Sequence, residues 1–129
     1  RALGCAVLML TAIATACTPE QAQLVAAKLQ QQNAVLASHH SRGALTDAQL
    51  ARLAKCESGG NPTIVSRSGR YHGLYQFSQS TWNGVASAVL PDYVGVSPSV
   101  APAHVQDAMA RALFAARGRA PWPHCGRRL

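Results

Sequence analysis

Acids are scarce in this sequence. Glu20, Asp47, Glu57, Asp92 and Asp107 are the only carboxylates among 129 residues, against 12 lysines and arginines, giving a formal charge of +7. The positive balance comes as much from missing acids as from added bases, and it suits nucleic acid, an anionic membrane or an anionic cell-wall polymer. The arginines are scattered, with one small cluster at Arg117, Arg119, Arg127 and Arg128. No motif for RNA or DNA interleaved with aromatics is present, so no nucleic-acid partner is expected. No Cys-x-x-Cys pair occurs, nor a close His pair with further ligands, so no metal or cofactor is expected. No apolar run reaches the roughly 20 residues of a bilayer-spanning helix, and there is no internal repeat.

What is present is a largely apolar chain, 48% hydrophobic and rich in alanine, which predicts one small, helix-leaning globular domain. Residues 2–16 form an uncharged apolar stretch behind Arg1 and end in Ala14-Thr15-Ala16, which reads as an export signal over 1–16. Cleavage there leaves Cys17 at the new N-terminus, as either a lipid-anchoring cysteine or part of a freely secreted chain. Both routes lead to a secreted, cell-surface or cell-wall location in a bacterium, where disulfides persist. Cys17, Cys56 and Cys125 then remain. The simplest account pairs Cys56 with Cys125 and leaves Cys17 lipidated, free or intermolecular. A loop of that length is worth about 4 kcal/mol in the chain-entropy picture.

Residues 17–43 read as a helical spacer or linker. Thr18-Pro19-Glu20-Gln21 opens a helix, Val25, Leu29 and Leu36 fall near one face, and His39-His40-Ser41-Arg42-Gly43 looks like a linker. The main domain is expected over 44–129. Thr46-Asp47-Ala48-Gln49 is a second capping box, and Leu50, Leu53 and Ala54 recur at helical spacing up to Cys56 and Glu57. Gly59-Gly60-Asn61-Pro62 stops that helix. Residues 63–77 alternate in a way that predicts a short, irregular β-hairpin around Ser66-Arg67-Ser68-Gly69. Ser78 or Ser80 caps a helix through Trp82, Val85, Ala86 and Val89, and a last helix runs from about 103 to 117. The fold class is therefore α+β, mainly α.

Glu57 stands out chemically. It ends an apolar helix face, adjoins a cysteine and precedes a glycine-rich break that leaves room for a ligand. Partial desolvation there disfavours the charged form and raises a carboxyl toward the range of a general acid. Position alone favours the plainer alternative, a helix-terminal Glu paired with an Arg.

The ordered set Cys56-Glu57-Ser58-Gly59-Gly60-Asn61, Gly73-Leu74-Tyr75-Gln76-Phe77, Gln79-Ser80-Thr81-Trp82 and Trp122-Pro123-His124-Cys125-Gly126 resembles the lysozyme-like lytic transglycosylases. Within them it is similar to the transglycosylase domain of resuscitation-promoting factors, over residues 45–126. It differs from the compact factors by Tyr75 between Leu74 and Gln76 and by a longer segment over 88–101. The resemblance implies a small lysozyme-like domain with a short hairpin beside the cleft, a Cys56–Cys125 disulfide, and Glu57 as sole catalytic acid. It makes Gln76 a cleft-lining residue and Ser58 a support for Glu57 or the helix end. Gly73 would let backbone approach sugar, and Tyr71 and Tyr75 are candidates to stack on sugar rings or to pack inside. Trp82, Leu74 and Phe77 are assigned to the core.

The implied activity is cleavage of the β-1,4 bond between N-acetylmuramic acid and N-acetylglucosamine in peptidoglycan glycan strands, by a monomer. Two-carboxylate glycosidases need a second acid across the bond, and no other carboxylate carries a matching motif. A one-carboxylate transglycosylase giving 1,6-anhydro products fits best; a lysozyme-type muramidase and a non-catalytic wall-binding or signalling module are the alternatives.

Overall fold

The computed structural model describes residues 18–41 and 45–129. The expected export signal over 1–16 and the candidate lipid site Cys17 lie outside the described residues. Thr18 Oγ1 accepts the Gln21 N–H at 3.2 Å, and the Gln21 side chain accepts the Thr18 N–H at 3.3 Å. Helix α1 (Pro19–Ser41) follows from that cap, with Leu24, Val25 and Leu29 exposed. It carries on through His39 and His40, where the sequence reads as linker, because no Gly or Pro interrupts propagation before Gly43. No helix among the described residues is long and apolar enough to cross a membrane.

The chain divides into two compact units, residues 1–34 and 35–129, and the second contains everything that follows. Helix α2 (Asp47–Ser58) starts from the Thr46–Gln49 capping box and ends at Gly59, whose φ of 68° only glycine adopts readily. Ser78 caps α3 (Gln79–Val89) by accepting the Thr81 N–H. Helix α4 (Ala103–Arg117) ends at Gly118. One-turn 3-10 helices occupy Pro91–Tyr93 and Cys125–Arg128.

Apolar residues from α2, α3, α4 and the C-terminal segment meet in one core: Leu50 and Leu53, Trp82 and Ala86, Val105, Met109 and Leu113, and Trp122 in turn. Helix α3 packs on α4, and α2 packs on the final 3-10 turn. Trp82 is fully enclosed and lies edge-on to Phe77 at 5.4 Å, so it is core rather than a sugar platform. Arg111 is 2% exposed. It donates from Nε to the Leu45 carbonyl at 2.8 Å and from Nη2 to the Asp47 carboxylate, pinning the start of α2 to α4.

The described residues are mainly helical. In place of a continuous hairpin, residues 63–77 form two isolated antiparallel bridges, Val65 with His72 and His72 with Phe77. Turns at Gly69 (φ 72°) and Gly73 (φ 76°) reverse the chain so soon after each pair that no ladder has room to extend.

Candidate active site

Glu57 lies in the last turn of α2, half-buried. Ser58, one residue on, donates from Oγ to the Ala54 carbonyl at 2.9 Å and accepts the Gly60 N–H at 3.2 Å. Its hydroxyl is spent on the helix end. Burial raises the Glu57 carboxyl above the ordinary carboxylate range, while the charge of nearby His124 pulls the other way. No Arg pairs with Glu57 among the described residues, so the plain ion-pair reading fails.

Two separate tethers hold the turn over residues 73–76 to the end of α2. The first is the segment 122–125. Trp122 Nε1 donates to the Tyr75 carbonyl at 3.0 Å, next to Gln76. Three residues later Cys125 is disulfide-bonded to Cys56, next to Glu57, at a sequence separation of 69. The same bond sets His124 beside Glu57. The second tether is Gln106, which is 1% exposed. Its Oε1 accepts the Leu74 N–H at 2.7 Å, and its Nε2 donates to the Pro62 carbonyl at 3.0 Å and the Ala101 carbonyl at 2.9 Å. One buried amide thus joins the turn to the loop that leaves α2.

Gln76 has a φ of 52°, the only positive value outside glycine among the described residues. Its backbone N–H and its side-chain Nε2 both donate to the Gly73 carbonyl, at 3.2 and 3.0 Å. Backbone held in this sparsely populated region costs energy, and such residues gather at functional sites. Gln76 lines a polar groove of about 380 Å³ together with Arg70, Tyr71, Ser80, Arg117 and Trp122. A larger hollow of about 560 Å³ between α3 and α4 is almost wholly apolar, and neither it nor the polar groove has an acid, Glu57 included, among its lining residues. The polar groove is the better site for a sugar.

The two tyrosines separate. Tyr71 is 43% exposed at the groove, with the Arg70 guanidinium 5.9 Å from its ring centroid. Tyr75 also borders the groove, but it is 2% exposed and packs in the core, its hydroxyl donating to Asp107 at 2.6 Å. Burial first, then the Asp107 hydrogen bond and charge, hold the Tyr75 proton far above its ordinary range. Gly73 faces inward as well. A Cβ there would stand 2.3 Å from Gln106 Oε1, so the missing side chain makes room for Gln106.

The other carboxylates are placed elsewhere. Asp47 is ten residues before Glu57 on the same helix, about 15 Å along the axis, and it pairs with Arg111. Glycosidase carboxylate pairs stand about 5–10 Å apart. Asp107 holds Tyr75, Asp92 lies in the 3-10 turn after α3, and Glu20 lies in α1. His124 is the one charged group that acts on Glu57 among the described residues. No group of three metal-ligating side chains occurs among them.

Sequence reasoning missed His124 and Gln106. The first was within reach, since pairing Cys125 with Cys56 brings its neighbour to Glu57. The second carried no signal, because a glutamine on an apolar helix face looks the same whether it clamps three loops or faces water.

A family model described as the transglycosylase-like domain matches residues 44–125. The probable transglycosylase SceD of Staphylococcus haemolyticus (strain JCSC1435) is 46% identical over 77 residues, which are 59% of this chain and 31% of that protein. The probable transglycosylase SceD of Staphylococcus aureus (strain Newman) is 46% identical over 76 residues, 59% of this chain and 32% of that protein. The chain thus spans about a third of the length of the curated relatives it matches.

Proposed function

Because the chain belongs to the transglycosylase-like family, we propose that it is a peptidoglycan-cleaving enzyme in which Glu57 acts as acid and then as base. The observation that carries this reading is the isolation of Glu57: half-buried, raised in pKa by desolvation, and with no second carboxylate acting on it. A group of this kind holds a proton to higher pH and gives it up when a leaving oxygen develops charge.

The glycan strand lies along the polar groove, past Gln76 and Tyr71, with the β-1,4 bond between N-acetylmuramic acid and N-acetylglucosamine at Glu57. Glu57 protonates the bridging oxygen as the bond to the muramic anomeric carbon breaks. The substrate's own N-acetyl carbonyl oxygen stabilises the cation that forms. The Glu57 carboxylate then takes the proton from the muramic 6-hydroxyl, whose oxygen bonds to the anomeric carbon and closes a 1,6-anhydro ring. Glu57 ends protonated again, and no water is consumed. Water in place of the 6-hydroxyl would make the same site a lysozyme-type muramidase.

The lysozyme-like cleft with a hairpin at its side corresponds, in this reading, to the groove and the bridged segment 63–77. Residues 1–16 act as an export signal, 17–43 as a spacer and 44–129 as the catalytic domain of a monomer that works outside the cell, either free or anchored through Cys17. The decisive variant is Glu57→Gln. It abolishes release of soluble wall fragments while binding to the wall persists; equal release by both proteins would reduce the chain to a wall-binding module.

A further inference from the structure

The polar groove carries two cations and no anion on its walls, Arg70 and Arg117. Three other arginines of the domain are committed to the chain itself, while Arg67, Arg127 and Arg128 are exposed and do not line the groove. Arg52 donates to the Arg128 carbonyl, Arg119 to the Leu129 carbonyl, and Arg111 to Leu45 and Asp47. Arg70 and Arg117 hold no carbonyl and no carboxylate among the described residues; the one contact of Arg70 is with the Tyr71 ring, on the same groove wall. Both side chains are exposed, and Arg117 closes the last turn of α4. A neutral sugar backbone gives guanidinium groups nothing to neutralise. Two of them on one acid-free groove match a ligand that brings carboxylates, and the planar fork of arginine suits that group.

We propose that Arg70 and Arg117 recognise carboxylates carried by the glycan strand's substituents, the lactyl group or the attached peptide, and so set the chain's preference for anionic over neutral strands. The inference rests on the peptidoglycan reading above and deepens it. Arg70 and Arg117 act in binding and are far from the proton transfers at Glu57 in role: their contribution is to hold the strand, and it falls as salt screens exposed charges.

The test compares solubilised wall glycan in three forms: intact, stripped of peptides by an amidase, and with every carboxylate capped as a methylamide. Affinity is measured with the Glu57→Gln chain, so that no strand is consumed, and cleavage kinetics with the unaltered chain. Capping weakens binding by about two- to five-fold for each arginine engaged. It also raises KM while kcat stays within about two-fold, as expected when only ground-state binding is lost. The Arg70→Gln/Arg117→Gln double variant binds intact and capped strands alike, and the corresponding lysine variants keep part of the preference. Because the amidase frees the lactyl carboxylate that the peptide's amide bond had masked, tighter binding of the stripped strand than of its capped form shows recognition of the lactyl carboxylate, and a preference confined to peptide-bearing strands places the carboxylate on the peptide; each supports the proposal. Equal affinity of the Glu57→Gln chain for intact and capped strands overturns it, as does a preference retained when both arginines are also replaced by glutamine. If no strand is cut, the catalytic reading fails, while the ratio of affinities still decides this one.

Discussion

Gly73 and Gln106 fit together as a space and its occupant. The backbone at Gly73 has a φ of 76°, and a Cβ there would lie 2.3 Å from Gln106 Oε1, the atom that accepts the Leu74 N–H. Gly73→Ala therefore meets both a backbone conformation that side chains avoid and a buried amide that cannot move without losing three hydrogen bonds. Its expected cost is about 2–4 kcal/mol of stability. Gln106→Leu leaves the Leu74 N–H and the Pro62 and Ala101 carbonyls unpaired, at about 1–3 kcal/mol for each group that water does not reach. Urea denaturation checks both, and a destabilisation below about 1 kcal/mol for either variant contradicts the clamp.

The disulfide should matter for the same region. Cys56 and Cys125 close a loop across 69 residues of separation, and removing that crosslink is expected to cost about 4 kcal/mol, chiefly by freeing the unfolded chain. Because the bond also holds segment 122–125 against Glu57, a Cys56→Ala/Cys125→Ala protein that is still folded at low temperature should show reduced turnover. Denaturation with and without a reductant measures the first effect. Full activity in the folded double variant would mean that Trp122 and Gln106 suffice to hold the turn.

Glu57 carries an expected trade between stability and chemistry. Its folded-state pKa is raised, chiefly by burial, so between the ordinary carboxylate value and that raised value the native protein holds more proton than the unfolded one. Stability then falls as pH rises through this window. Glu57→Gln avoids the cost of a buried charge, so it should be more stable than the parent at pH 7, with the difference shrinking toward pH 4. Thermal unfolding at both pH values tests the sign. A difference that does not change with pH would show that the Glu57 carboxyl is as well solvated in the folded chain as in the unfolded one.

The tyrosines should behave differently under mutation. Tyr75→Phe loses the 2.6 Å hydrogen bond to Asp107, at about 1–2 kcal/mol of stability, and leaves KM unchanged. Tyr71→Ala has little effect on stability and raises KM, since the ring is exposed at the groove. Reversal of the two patterns would place Tyr75 in the cleft and Tyr71 in the scaffold.

Much of this arrangement is legible in the sequence. The boundaries of α2 follow from Thr46, Gln49 and Gly59, residue types with local and directional hydrogen-bonding or backbone preferences, and the placement of Glu57 follows from them. The burial of Trp82, Leu74 and Phe77 follows from pattern as well. The extent of strand pairing does not, because alternation over residues 63–77 says which side chains face inward but not how soon the backbone turns. The difference between Tyr71 and Tyr75 is also hidden in sequence, since it depends on Asp107 arriving from α4, 32 residues away. Gln106 is hidden for the same reason: its three partners come from three loops.

The chemistry proposed for Glu57, acid and base in turn with the muramic 6-hydroxyl as the attacking group, is tested most directly by mass analysis of the soluble fragments released from purified peptidoglycan. The expected result is 1,6-anhydro-muramic ends, absent when Glu57→Gln replaces the parent chain. Reducing muramic ends in their place, or anhydro ends still formed by Glu57→Gln, would contradict it.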